Sequence, residues 1–155
     1  MLIRFLFVIT LLSPGVTHAD DLDALNTLIQ TYTATVSSLD MTTIESIWST
    51  EENVSFIHPR GHETGWPAIR QAFYLDTMGR LSKRNLEAER INVRLLSPTT
   101  AWGDFYWHFK ATFKDGTNIE TRGRETQVWE KIDGSWKIVH VHYSGLPVSG
   151  EREGF

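Results

Sequence analysis

The sequence predicts one α+β domain, an antiparallel sheet with helices laid over one face. Apolar residues recur at helical spacing as far as about residue 78, then alternate at period two from Leu86 onward. Two Asp-Gly pairs, Asp115-Gly116 and Asp133-Gly134, sit between alternating β-rich runs and signal tight hairpins. Helices first and sheet last place the helices on one side of the sheet. A chain of 155 residues suits a single core.

The chain opens with Met1-Leu2-Ile3-Arg4, an apolar run from Phe5 to Leu12, Pro14-Gly15, and Thr17-His18-Ala19 ahead of Asp20-Asp21. One positive charge, a short apolar stretch and a small residue before a polar one predict a signal peptide, residues 1–19, cut after Ala19. Roughly eight apolar residues are too few to span a bilayer, which needs about twenty. The mature domain, residues 20–155, is then expected in a periplasm or outside the cell. With no cysteine, it has neither disulfides nor thiol chemistry to draw on. Of 15 basic residues, removal of Arg4 leaves 14 against 19 acidic, a net charge near −5 with no basic run. Nucleic acid and anionic membrane are therefore excluded as expected partners.

Leu22, Leu25, Leu28, Ile29, Tyr32, Val36 and Leu39 form one helical stripe, predicting a helix over about 21–39. Thr42 and Glu45 have capping-box spacing before the short apolar face of Ile44, Ile47 and Trp48. Val54, Phe56 and His58 predict a short strand ending at Pro59, with Arg60 to Gly65 as a loop. Pro67 suits the first turn of a third helix, from about Trp66 to Met78, and Gly79 its end. Beyond it, Ile91, Val93 and Leu95 alternate up to the break at Pro98, and three long strands follow as a meander.

Two-residue turns at both Asp-Gly pairs would set Trp107 opposite Arg124, Arg124 opposite Tyr143, and Glu125 between Tyr106 and His142. Phe105, Trp107, Phe109, Arg124, Thr126, Val128, Val139, Val141 and Tyr143 would then share the face that packs on the helices and lines a pocket. The opposite face would carry Trp102, Asp104, Tyr106, His108, Glu125, Gln127, Trp129, Trp136, Ile138, His140 and His142. That set is too aromatic for a solvated face, so a second copy of the chain is expected to cover it.

In this frame Arg124, between Trp107 and Tyr143, would clamp the polar end of a small, mostly apolar molecule. His58 and Tyr74 would line the pocket mouth. Glu125 with His142 would be a weaker candidate for acid and base chemistry. Asp104 with Tyr106 would suit enolisation if their face lined the pocket. His108, His140 and His142 do not form a three-ligand set with a carboxylate, so no metal or cofactor is expected.

The segments Arg124-Glu125-Thr126-Gln127-Val128-Trp129 and Trp136-Lys137-Ile138-Val139-His140-Val141-His142-Tyr143-Ser144-Gly145 resemble the closing hairpin of SnoaL-like members of the nuclear transport factor 2-like superfamily. Phe56-Ile57-His58-Pro59, Gly65-Trp66, Phe73-Tyr74 and Ala101-Trp102-Gly103 are similar to that family's earlier elements. The last hairpin is closest to the association domain of calcium/calmodulin-dependent protein kinase. The resemblance implies a cone-shaped, cystatin-like sheet wrapped by N-terminal helices, a deep pocket and commonly a dimer. It leaves function open between a ligand-binding protein, an isomerase, cyclase or dehydratase, and an assembly module. Where the kinase domain places pocket arginines, this chain has Trp107, Gln127 and Tyr143.

Overall fold

The structure, a computed structural model, describes residues 18–146. The expected leader lies outside the described residues except for His18 and Ala19, which begin the first helix. Helix α1 (His18–Ser38) buries Leu25, Ile29, Tyr32 and Val36, the stripe that its spacing foretells. Asp21 anchors its start by accepting hydrogen bonds from Lys131 Nζ and, at 2.9 Å, from Trp136 Nε1. Helix α2 (Met41–Ile47) is capped one residue-pair earlier than the Thr42–Glu45 spacing suggests. The Asp40 carboxylate accepts from the backbone N–H of Thr42 and Thr43.

Strand β1 (Ser55–His58) is followed by β2 (Gly61–Thr64), a strand where a loop was expected. Its sequence, Gly-His-Glu-Thr, has no apolar alternation because it pairs only with β1 at the sheet edge. Helix α3 starts as one α turn (Trp66–Ile69) behind Gly65, whose φ of +81° favours glycine, and widens into a π-helical segment, Arg70–Leu75. A 3₁₀ turn, Met78–Arg80, leads into the long strands β3 (Leu81–Ser97), β4 (Thr100–Phe113), β5 (Asn118–Ile132) and β6 (Ser135–Gly145).

The six strands form one sheet in the order β2-β1-β6-β5-β4-β3. All neighbours are antiparallel except β1 and β6. A bulge in β3 between Glu89 and Asn92, with Arg90 at φ +54°, bends the strand and adds to the curvature of the sheet. The result is a curved, unclosed sheet whose inner face packs on α1. Among the described residues no helix is long and apolar enough to cross a membrane.

The expected register is corrected at two places. The β4–β5 loop has three residues, Lys114-Asp115-Gly116: Phe113 N–H donates to Thr117 O at 2.8 Å and Gly116, at φ +90°, donates to Phe113 O at 3.0 Å. Trp107 therefore faces Gly123, and Tyr106 faces Arg124. The β5–β6 turn does have two residues, Asp133 and Gly134, both with positive φ. A bulge at Val139 then inserts one residue, so Trp129 pairs with Ile138 but Val128 pairs with His140. Glu125 consequently lies between Phe105 and Tyr143, and Arg124 opposite Ser144.

Candidate functional site

Because side chains alternate along a strand, those two one-residue shifts decide which groups point inward. The inner face is made of Phe105 and Trp107 from β4, Glu125, Gln127 and Trp129 from β5, and Ile138, Val141 and Tyr143 from β6. Trp107 packs directly on Gly123: a Cβ there would stand 2.1 Å from Trp107 Cζ2 and 2.2 Å from Ser144 O. Only glycine leaves room for the indole.

Between this face and the helices is a cavity of about 200 Å³. Tyr32 and Val36 of α1, Phe73 of the π-helical segment, and Met78 close one side. Leu86, Trp107, Phe109, Ile119, Thr121, Glu125 and Tyr143 of the sheet form the other. The wall is largely aromatic and aliphatic, and Glu125 is its one acid.

Glu125 is 4% exposed. Its Oε1 accepts from Gln127 Nε2 at 2.7 Å, and its Oε2 from the Tyr32 hydroxyl at 3.4 Å. Gln127 is itself oriented by Trp129, whose indole N–H donates to Gln127 Oε1 at 3.0 Å. Burial pushes the Glu125 carboxyl up to about 8, against the opposing pull of the bonds from Gln127 and Tyr32. The neutral acid therefore dominates at pH 7. Burial, with Glu125 close by, also raises the Tyr32 phenol and pushes Tyr143 up to about 12, so both stay protonated.

The structure brings Trp107 and Tyr143 together in the cavity wall, their rings 6.0 Å apart and at 80°. Gln127 stands behind Glu125 and supports it. His58 backs the Tyr143 ring at 6.2 Å in a near-parallel stack, with Nε2 3.5 Å from the Glu63 carboxylate. Tyr74 is wholly buried, and its hydroxyl accepts from Trp48 Nε1 at 2.8 Å. Arg124 is exposed on the outer face, opposite to the register first expected, and His142 is exposed on that face as expected. Arg124 reaches Ser144 Oγ at 3.5 Å, and the Glu125–His142 pair does not form because Glu125 faces Tyr143.

Asp104 and Tyr106 are also on the outer face, Asp104 accepting from Asn92 at 3.2 Å. His108 is engaged with Glu120 at 2.6 Å, and the described residues hold no cluster of three or more His, Asp or Glu suited to a metal. The site residues missed by sequence are Tyr32, Val36, Phe73, Met78, Leu86, Ile119 and Thr121. Tyr32 did carry a signal, since it is the one residue with a polar tip in the apolar stripe of α1.

The sequence matches the profile of the SnoaL-like domain over residues 25–149. A search of curated proteins returns no match. A nuclear transport factor 2-like superfamily protein from Salmonella enterica serovar Typhimurium is 39% identical, with a TM-score of 0.80, covering 86% of this chain and 96% of its own. A candidate calcium/calmodulin dependent protein kinase II association domain from Xanthomonas campestris is 20% identical, with a TM-score of 0.69, covering 94% of this chain and 100% of its own. A candidate scytalone dehydratase from Novosphingobium aromaticivorans is 15% identical, with a TM-score of 0.73, covering 82% and 85%. The last two show likeness of fold alone.

Proposed function

The chain belongs to the SnoaL-like domain family, and from that premise we propose that it is an exported, dimeric pocket protein which binds a compact apolar molecule by one polar end. The observation that supports this most is Glu125, the single acid on the wall of an aromatic and aliphatic cavity of about 200 Å³. An apolar cavity of about 150 Å³ accepts benzene, so the volume suits one ring with a short substituent. In the direct test, benzyl alcohol is titrated into the protein and tryptophan emission is followed. Saturable quenching is expected in the wild type, and its loss in Val36→Phe, which fills the cavity. A wild type that shows no saturable response to such a one-ring probe would sink the proposal.

Export and dimerisation have separate tests. Expression of the full chain in a Gram-negative host should yield a periplasmic product lacking residues 1–19; a cytoplasmic product of full mass would count against export. Trp102, Tyr106, Val128 and His140 are half-buried on the outer face of the isolated chain and form an aromatic surface that a second copy would cover. Light scattering should give twice the chain mass, and a monomer would refute the dimer.

A second reading, proton-transfer catalysis of the isomerase or dehydratase type, is favoured by the raised Glu125 carboxyl. The dehydratase candidate among the similar folds is consistent with it. Deuterium exchange into the α-carbons of cyclohexanone, faster with protein than without and abolished in Glu125→Gln, is the expected result. No acceleration over buffer at any pH between 5 and 9 would argue against enolisation.

A further inference from the structure

Every hydrogen bond that reaches Glu125 is given to it. Gln127 Nε2–H points at Oε1 and the Tyr32 hydroxyl at Oε2, while Trp129 pins the Gln127 amide in the orientation that makes it a donor. Donors converging on both oxygens are the arrangement that favours a carboxylate. Yet a charge on Glu125 would have no counterpart. Among the described residues no lysine, arginine or histidine forms an ion pair with Glu125. Lys131 pairs with Asp21, Arg122 with Glu89, and His108 with Glu120.

What surrounds the carboxyl is a wall that contains five aromatic rings, from Tyr32, Phe73, Trp107, Phe109 and Tyr143. Phe73 and Trp107 approach Tyr143 at 59° and 80°, each with ring centroids within 6.2 Å, so ring faces and edges converge from several directions. Aromatic faces carry negative charge density and attract organic cations, more strongly when water is excluded. We propose that the polar end of the ligand is a protonated amine: the cavity takes a one-ring organic amine, whose ammonium pairs with Glu125 among the aromatic rings. This rests on the pocket proposal above and specifies its ligand class. A carboxylate ligand would find no cation, and a neutral one would leave the donors aimed at Glu125 without a charge to stabilise.

The inference has a proton signature. The titratable groups facing Glu125 are the phenols of Tyr32 from α1, Tyr74 from the helix behind, and Tyr143 from β6, with Arg60 acting on Tyr143. All three phenols are held protonated, so Glu125 alone exchanges a proton near neutrality. In the empty cavity it carries that proton; an arriving ammonium displaces it, and the proton leaves to the buffer.

The test is calorimetric titration of the wild-type protein at pH 7 with benzylamine, benzyl alcohol and benzoate, each in phosphate and in Tris. Benzylamine is expected to bind about tenfold or more tighter than benzyl alcohol, the equivalent of about 1.4 kcal/mol, with benzoate weakest. The heat of benzylamine binding should differ between the buffers by the amount for about one released proton, and Glu125→Gln should lose the preference for amine. Benzyl alcohol binding as tightly as benzylamine, or benzylamine binding without proton release, overturns the amine assignment and leaves the pocket standing. Failure of all three probes overturns both.

Discussion

Replacing Glu125 by glutamine should make the protein more stable, and by an amount that depends on pH in one direction only. In the unfolded chain the carboxyl titrates near the ordinary 4.5, whereas in the folded protein burial pushes it up to about 8. Between those values the native state holds a proton that the unfolded state has lost. Stability therefore falls as pH rises through this interval, by about 1.4 kcal/mol per pH unit. Across the whole interval the loss is on the order of 5 kcal/mol, all of it absent below 4.5 and complete above about 8. A glutamine has nearly the same shape, still accepts from Gln127, and does not titrate. Other groups titrate alike in both proteins, so the difference between their stability curves isolates position 125. The assay is thermal unfolding followed by circular dichroism from pH 5 to pH 9. The two proteins should nearly coincide at pH 5, with Glu125→Gln melting about 10–20 °C higher at pH 9. A flat difference across the range would show that Glu125 is not desolvated in the folded protein. A difference of the opposite sign would show that it is paired with a cation.

Gly123→Ala should cost about 3 kcal/mol, because its Cβ meets both the Trp107 indole and the backbone oxygen of Ser144. Urea unfolding reads the loss and tryptophan emission the displaced ring; an unchanged midpoint would mean that the indole does not lie over this residue. Asp21→Ala strips acceptors from Lys131 and Trp136 and should cost about 2 kcal/mol at pH 7. Lys131 holds the Asp21 carboxyl below its usual range, so this contribution is fully present above about 3.8 and fades as pH falls through the lower folded value. A gap between wild type and variant that persists undiminished to pH 2 would contradict the ion pair. Trp129→Phe removes the donor that orients Gln127 and leaves a void beside Gly103, at about 3 kcal/mol in denaturant unfolding. A loss below about 1 kcal/mol would remove the network from the account of the site.

The elements themselves were largely legible. The stripe from Leu22 to Leu39 gave α1, and the alternation in β4 and β5 was read correctly, while that in β6 breaks at Val139. What local pattern does not contain is the phase of one strand against the next, which is set where no alternation exists. An Asp-Gly pair serves both a two-residue and a three-residue hairpin, and the hydrogen bonds of Phe113 decide between them. The bulge at Val139 leaves no trace in composition, since valine fits either face of a strand. The three-residue loop moved Glu125 inward and Arg124 outward, and the bulge in β6 set Tyr143, in place of His142, opposite Glu125. Strand β2 and the π-helical segment were missed for a different reason: the first is held only at the sheet edge by β1, and the second differs from an α-helix in hydrogen-bond span rather than in residue type.

The bulge at Val139 makes β6 a strand with two reading frames. Up to Ile138 its even-numbered residues are sealed inside; from Val141 the odd-numbered ones are, and the imidazoles of His140 and His142 are left outside. Were Val139 drawn into the ladder opposite Val128, every later residue would move on by one and His142 would stand opposite Glu125 in place of Tyr143, without any pocket residue being substituted. For a fold whose strands pass from scaffold to site along their own length, a short path between chemistries runs through the gain or loss of a bulge, a move that comparison by substitution does not count.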